Sequence, residues 1–160
     1  VDQIDRKDIL KVNDLQILEV DELFNEYYLT KPDLLFIVEI KNGEEKGFMA
    51  ANVLDDLLAN KYPNYKNNVV VGTFHDEIAK DLKENHPTIL RGASTGQARD
   101  FILTQMFGVN IFNKADFTCL QIPTSYKLKG IKFNLDKKAF INRAHRRNIA
   151  VQYWTLQNLP

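Results

Sequence analysis

The sequence lacks the features that would place it in several large protein classes. It has a single cysteine, Cys119, which excludes an intrachain disulfide. No apolar run approaches the roughly 20 residues that span a bilayer. The chain opens at Val1 without a charged segment that leads into an apolar one, so we predict neither a transmembrane helix nor a signal peptide. Because no initiator Met precedes Val1, we interpret the chain as a fragment or a processed form.

Glycine is also scarce, and neither sign of charge is in excess. The 7 glycines form no glycine-rich phosphate fingerprint after any predicted strand, which counts against a dinucleotide-binding fold. The net charge is zero, but the segment from Asn110 to Pro160 has an excess of seven basic residues. That segment is either a surface for phosphates, anionic lipid or nucleic acid, or a solvated helix face. We expect no exposed aromatic residues interleaved with its lysines, and therefore no nucleic-acid partner.

The apolar run Leu34-Leu35-Phe36-Ile37-Val38-Glu39-Ile40-Lys41 ends in two opposite charges. It is too short for a core helix and rich in branched residues, which predicts a strand buried on both faces. Because strand side chains alternate, Glu39 and Lys41 should point to the same side at the carboxyl end, where parallel α/β folds bind ligands. Glu39 is therefore either a ligand of a hard cation or the ion-pair partner of Lys41. Lys41 could also hold a phosphate.

Strand-length and helix-length segments alternate five times along the chain. The pattern is typical of a parallel sheet with crossover helices. It does not separate an open doubly wound sheet from part of an eight-stranded barrel. The basic residues 127–134 are predicted to form a loop or small hairpin. Further strands are predicted at 69–74, 88–93, 117–123 and 149–155, and longer helices at 44–61, 97–107 and 136–148, with another that opens at 75–77.

Three further residues lie where these strands end. His75 follows the strand at 69–74 and is either a general acid or base or a helix cap. Gln121 and Trp154 lie at the carboxyl ends of later strands, where Trp154 would form the apolar wall of a pocket or pack in the core. The serines lack a convincing His and Asp partner, and Cys119 lies inside a strand. A serine or cysteine nucleophile is therefore not expected.

These segments resemble the glycerophosphodiester phosphodiesterase family, in the same order, from residue 36 to residue 155. Residues 36–41 resemble the family's strand that ends in Glu-Ile-Lys. Residues 69–75 are similar to its next strand, although Thr73 replaces the usual Ser. Residues 140–155 resemble its late helix and strand, with Asn148 in place of the usual glycine. The Gln121-Ile122-Pro123 strand is more similar to the branch that handles lysophospholipids or N-acyl ethanolamine phospholipids.

The resemblance implies an α/β fold that is a partial TIM (β/α)8 barrel, with about five of the eight strands present. Residues 1–160 would then be an incomplete domain that holds the third through seventh strands. The resemblance also implies a divalent cation, Mg or Ca, bound partly by Glu39. Lys41 would be the active-site lysine and Trp154 the wall beside the glycerol moiety, with His75 and Gln121 as further substrate contacts. No residue of this chain matches the family's catalytic histidines.

The implied function is that of a phosphodiester hydrolase that acts on glycerophosphodiesters or lysophospholipids and releases the head-group alcohol. The alternative is a catalytically inactive fragment, or a degenerate barrel module that binds a phosphate ligand or a partner chain. The apolar segment 101–117 is interpreted either as a peripheral membrane contact or as an ordinary barrel helix. We expect a cytoplasmic or membrane-associated location rather than secretion.

Overall fold

A computed structural model describes residues 18–106, 115–128 and 130–154. The chain divides into two compact units, residues 1–34 and 35–160. In the first unit, α1 spans Val20–Tyr27 and has acidic residues in its first turn, where carboxylates interact favourably with the helix dipole. The Glu19 N–H donates to the Glu22 carboxylate over 2.8 Å, which supplies one of the caps that a helix start requires.

The second unit contains the other described strands and helices. Helix α2, Glu44–Asp56, leads into a π-helical turn at Leu57–Lys61 and a 3-10 turn at Pro63–Tyr65, so the predicted helix at 44–61 is confirmed. The elements in chain order are β1 Phe36–Ile40, α2 Glu44–Asp56, β2 Val69–Thr73, α3 Asp76–Asn85, β3 Leu90–Arg91, α4 Thr95–Met106, β4 Cys119–Ile122, β5 Ser125–Leu128, β6 Ile131–Asn134, α5 Lys138–His145 and β7 Ala150–Tyr153.

The described strands form three separate sheets. Strands β1, β2 and β3 pair in parallel in that order, with Glu39 opposite Gly72. Strands β4 and β7 form a second parallel pair, with Gln121 opposite Gln152. Strands β5 and β6 form an antiparallel hairpin. Of the loop or small hairpin predicted for residues 127–134, the structure has the hairpin.

The prediction of a partial TIM barrel is wrong. A barrel wall needs ladders that continue from strand to strand, whereas the described strands form sheets of three, two and two. Strand β3 is only two residues long, and its ladder with β2 ends at the pair Val71 and Arg91. Beyond it, a single isolated bridge joins Gly92 to Cys119. The alternation predicted the parallel pairs correctly, but the pairs do not make one sheet.

The prediction that β1 is buried on both faces is also wrong. Phe36 and Ile40 are buried, but Ile37 and Glu39 between them are exposed. Strand β2 is buried along its whole length, as predicted. The face of β1 that carries Glu39 is therefore open to a ligand, while the opposite face packs inward.

An apolar cluster holds β4 against the helices that follow and precede it. Phe101 of α4 makes edge-to-face contacts with Phe117 and with Phe140 of α5, at centroid distances of 6.0 and 5.9 Å. Such ring pairs stabilise a core beyond their buried area. The cluster fixes the direction in which β4 ends. Its buried members are Phe101, Ile102, Phe117, Leu120, Ile122, Leu135, Phe140, Ala144 and Ile149.

Both ends of α5 can be compared with the helix predicted at 136–148. Its N-cap is Lys137, one residue after the predicted start. Its last residue is His145, and Asn148 at the predicted end has a positive φ of 58°, the left-handed conformation that commonly follows a helix.

Candidate functional site

A pocket of about 240 Å³ lies at the carboxyl ends of β1, β2, β4 and β7. We call it the sheet-end pocket. Three of the predicted site residues, Glu39, Gln121 and Trp154, lie in its wall although they are far apart in sequence. Parallel strands bring their carboxyl ends to the same edge, which explains why these residues meet. Its lining comprises Ile37, Glu39, Thr73, Phe74, Ala93, Gln121 and Trp154.

Glu39 and Lys41 form an ion pair at the rim of this pocket. The Lys41 Nζ donates to Glu39 Oε2 over 2.8 Å, so the two side chains do point to the same side. The Lys41 side chain is 75% exposed and that of Glu39 is 35% exposed. Exposed pairs of this kind contribute about 0 to 1 kcal/mol. A phosphate or a cation could therefore displace either partner at small cost.

Gln121 is held over two glycines by its neighbour on β7. Its Nε2 donates to Gln152 Oε1 over 3.1 Å. Its Oε1 then lies so close to β2 that a Cβ at Gly72 would be 2.6 Å from it. Gly72 is the register partner of Glu39, so an amide oxygen and a carboxylate line neighbouring parts of the pocket.

These two oxygen donors are fewer than a divalent cation requires. Calcium takes about six to eight oxygen ligands, and magnesium about six. The described residues contain no group of three or more His, Cys, Asp or Glu that could hold a metal ion. The residues present do not by themselves fit a complete metal site. Glu39 as a metal ligand stays a prediction.

Phe74 and Trp154 form an aromatic wall of the pocket. Their ring centroids are 5.4 Å apart with an angle of 45° between the planes. Phe74 is 49% exposed and Trp154 is 47% exposed, so Trp154 lines the pocket rather than the core. Phe74 was not predicted as a site residue. Its position directly after the buried strand β2 was the signal that could have identified it.

His75 lies next to this pocket but does not line it. Its Nε2 is 3.0 Å from the Lys41 carbonyl oxygen, and because a carbonyl only accepts, Nε2 carries the hydrogen. Its Nδ1 is 3.4 Å from Glu77 Oε1. His75 is the N-cap residue of α3, but its side chain makes no capping hydrogen bond. It lines a second pocket of about 450 Å³, with Asn42, Gly43, Glu44, Glu45, Lys46 and Glu77.

The nucleophiles that the sequence argued against remain poor candidates. Burial raises the pKa of the Cys119 thiol to about 11, so it stays protonated near neutral pH. Ser94 is buried and its Oγ donates a hydrogen bond to Asp76 Oδ1. The same carboxylate oxygen accepts the Gly96 N–H over 3.0 Å. Asp76 thus ties the start of α4 to α3, which is a structural role.

Two other histidines lie in environments that their sequence positions do not indicate. His86 directly precedes Pro87, a position typical of a surface residue, but it is only 5% exposed. Its Nδ1 is 2.8 Å from Asp55 Oδ2, and its Nε2 is 3.5 Å from Asp81 Oδ2. Those carboxylates compensate for the burial of a polar ring. His145 lies four residues after Ile141, a spacing that predicts packing against the body of the fold, but it is exposed.

The described part of segment 101–117 belongs to the core. Phe101, Ile102 and Phe117 are buried in the apolar cluster, and residues 107–114 lie outside the described residues. None of the described helices has the length and apolar character needed to cross a membrane.

Comparison with models of known protein families finds no match to this sequence, and comparison with curated proteins finds none either. The resemblance to the glycerophosphodiester phosphodiesterases therefore remains a prediction that depends on the motifs quoted for it.

Proposed function

We propose that the sheet-end pocket binds the glycerophosphate part of a glycerophosphodiester or lysophospholipid, as part of a phosphodiester hydrolase. The observation that supports this most is the meeting of Glu39, Gln121 and Trp154 in one pocket, with Lys41 at its rim. The resemblance to glycerophosphodiester phosphodiesterases, which implied these same residues, supports the proposal independently of the geometry.

Each residue has a role that its chemistry allows. The Lys41 ammonium is the exposed cation beside the pocket and would bind the phosphate after leaving Glu39. The rings of Phe74 and Trp154 would cover the glycerol carbons. The Gln121 carboxamide would bond to a glycerol hydroxyl, since its oxygen faces the pocket floor.

The hydrolytic step would add water to phosphorus and release the head-group alcohol. Such a step needs a general acid and a general base. Within the described residues, His75 is the histidine next to Lys41, and its Nε2–H is already bonded to a carbonyl oxygen. The acid and base would therefore come from outside the described residues. A divalent cation, Mg or Ca, belongs to the same proposal, with Glu39 as the ligand that this chain contributes.

A second candidate is a module that binds a phosphate ligand without turning it over. The ion pair between Glu39 and Lys41 favours it, because both charged groups are already matched without a cation. The absence of a larger metal-binding group among the described residues points the same way. Both candidates share the pocket and differ only in turnover.

The single tryptophan makes the binding test direct. Trp154 is the only Trp of the chain and lines the pocket. Titration with glycerol 3-phosphate should therefore change the fluorescence in a saturable way. The Lys41→Gln variant should bind several-fold more weakly, because it loses the phosphate contact. Lys80→Gln removes an exposed positive charge from α3 and is the matched control, for which we expect unchanged binding.

Turnover separates the two candidates. The 160-residue protein would be incubated with glycerophosphocholine or lysophosphatidylcholine and Mg or Ca, and released choline measured. Cation-dependent release that falls in Glu39→Gln supports the hydrolase. Such release would exclude the module, whereas saturable binding without release limits the claim for these 160 residues to a phosphate-binding site. If glycerol 3-phosphate produces no saturable change, the pocket is not a glycerophosphate site and both candidates are wrong.

A further inference from the structure

The β5–β6 hairpin is a two-stranded element with an anchored base. It turns at Gly130, whose φ of 82° is a conformation that glycine adopts readily. At the base, the Leu135 N–H donates to the Thr124 carbonyl over 2.8 Å, and the Tyr153 hydroxyl donates to the Leu135 carbonyl over 2.7 Å. Tyr126 packs against the apolar cluster. The base is fixed in the fold, while neither strand pairs with another described strand.

Two lysines lie directly opposite each other on this hairpin. Lys127 and Lys132 are cross-strand partners, and both are exposed. Like charges at opposite positions destabilise a strand pair. Neither lysine takes part in an ion pair with the described residues. The hairpin therefore presents a concentrated positive charge that an external anion would stabilise.

The opposite face of the hairpin presents an apolar side chain near the turn. Ile131 is 62% exposed. It alternates with Lys132, so its side chain points to the other face. Ile131 lies beside the turn, and the lysine pair lies one cross-strand pair further from it. This order matches an anionic membrane surface, in which an apolar acyl region lies beneath charged headgroups. Apolar residues enter the acyl boundary there while cations bind the headgroups.

We propose that the tip of the β5–β6 hairpin docks on an anionic lipid bilayer. Ile131 enters the headgroup and acyl boundary, and Lys127 and Lys132 bind anionic headgroups. This surface is distinct from the sheet-end pocket and does not depend on the proposed function. It would nevertheless bring the protein to a lipid phase.

A nucleic acid is the competing polyanion, and the structure favours it less. Binding to single-stranded nucleic acid normally uses exposed aromatic rings for stacking. The aromatic residues of the hairpin, Tyr126 and Phe133, are half-buried, and Tyr126 packs on the core. An exposed isoleucine gains nothing from a phosphate backbone, whereas it gains from an acyl layer.

Co-sedimentation with vesicles tests the proposal. The 160-residue protein should bind vesicles of phosphatidylcholine mixed with phosphatidylserine and should not bind vesicles of phosphatidylcholine alone. Lys127→Gln and Lys132→Gln should each weaken binding about fivefold, the factor expected for one lysine at an anionic surface. Ile131→Thr keeps a β-branched residue in the strand and should weaken binding by up to about tenfold through lost apolar burial.

A charge reversal separates docking from hairpin stability. Lys132→Glu places a carboxylate opposite Lys127, which should stabilise the hairpin while weakening vesicle binding more than Lys132→Gln does. Its thermal midpoint and its vesicle binding should thus move in opposite directions. Lys138→Gln and Val53→Thr are the matched controls, since both residues are exposed and lie on helices rather than on the hairpin. We expect neither to change binding.

Three results would overturn the proposal. The first is equal binding to vesicles with and without phosphatidylserine, or to neither. The second is vesicle binding that falls as much in Lys138→Gln and Val53→Thr as in the hairpin variants. The third is displacement from vesicles by single-stranded DNA, together with DNA binding that Ile131→Thr leaves unchanged, which would assign the lysine pair to a nucleic acid.

Discussion

The Gly72→Ala substitution tests whether Gln121 lies where the sheet-end pocket requires it. An added Cβ at this position would be 2.6 Å from Gln121 Oε1, closer than non-bonded atoms can approach. The carboxamide is the flexible end of a side chain, so it should move rather than the strands. That movement would break its hydrogen bond to Gln152, which measures 3.1 Å.

The expected change in the free energy of unfolding is the sum of two opposing effects. Loss of the hydrogen bond should cost about 1 kcal/mol of the free energy of unfolding. Replacing glycine by alanine should return about 0.4 to 1 kcal/mol through the entropy of the unfolded chain. Gly92→Ala has the second effect without the first, because its Cβ would meet Cys119 O and Gln121 Oε1 at 3.6 Å, an ordinary contact distance. The two variants should therefore differ by about 1 kcal/mol.

Urea denaturation followed by circular dichroism measures this difference in the free energy of unfolding without depending on ligand binding in the pocket. In a temperature scan, the thermal midpoint of Gly72→Ala should be about 3 °C below that of Gly92→Ala. Gly72→Ala should also change the fluorescence of Trp154, since Gln121, which the added Cβ displaces, lines the same pocket as Trp154. Equal stability of the two variants, with unchanged fluorescence, would show that Gln121 does not lie over Gly72.

Two other predictions concern groups outside the pocket, the partly exposed Asp116 and the buried Cys119. Burial raises the pKa of Asp116, but hydrogen bonds and charges from Lys83 and Arg91 outweigh it and hold the pKa below its ordinary value. The resulting stabilisation is present above the unfolded pKa and is lost as pH falls through the folded pKa, so Asp116→Asn should weaken the acid dependence of urea unfolding below about pH 4. Near neutral pH the same variant should lose about 1 kcal/mol at most, because the Asp116 carboxylate is 35% exposed and Arg91 keeps its hydrogen bond to the Asp116 backbone carbonyl; an unchanged midpoint would contradict the pairing. Burial raises the pKa of Cys119 to about 11, so its thiol should react with a disulfide reagent at about pH 8 only after unfolding. Because the folded protein keeps this thiol protonated, it should lose stability relative to the unfolded chain as pH rises from about 8.5 toward 11. Fast labelling of the folded protein would contradict the burial of Cys119.

Much of the local structure could be predicted from the sequence. Short continuous apolar runs located the parallel strands, and apolar residues three or four positions apart located the longer helices, because these patterns reflect the geometry of a single segment. In the helix predicted at 44–61, Ala51, Leu54 and Leu58 are buried at helical spacing, and Phe48 is half-buried. The ends of the strands also predicted which polar residues would meet, since parallel strands place their carboxyl ends at one edge.

The pairing of the strands could not be predicted in the same way. Strand β3 forms only a two-residue ladder. The length of a hydrophobic run does not indicate how many of its residues will pair with a neighbouring strand. The exposure of Ile37 in an unbroken apolar run has the same origin, because burial depends on what covers a face and not on the strand itself. Likewise, the position of His86 directly before Pro87 gave no sign of the two carboxylates that lie beside its buried ring.

The amino-acid sequence by itself determined the order of the elements, the parallel direction of β1, β2, β4 and β7, and the identity of Glu39, Gln121 and Trp154 as neighbours. Tertiary structure alone decided that the strands form three sheets, that one face of β1 is open, and that Phe74 completes the pocket wall. The physical reason is that backbone periodicity is a property of a few consecutive residues. Sheet continuity and solvent exposure depend on contacts between segments that are distant in the chain.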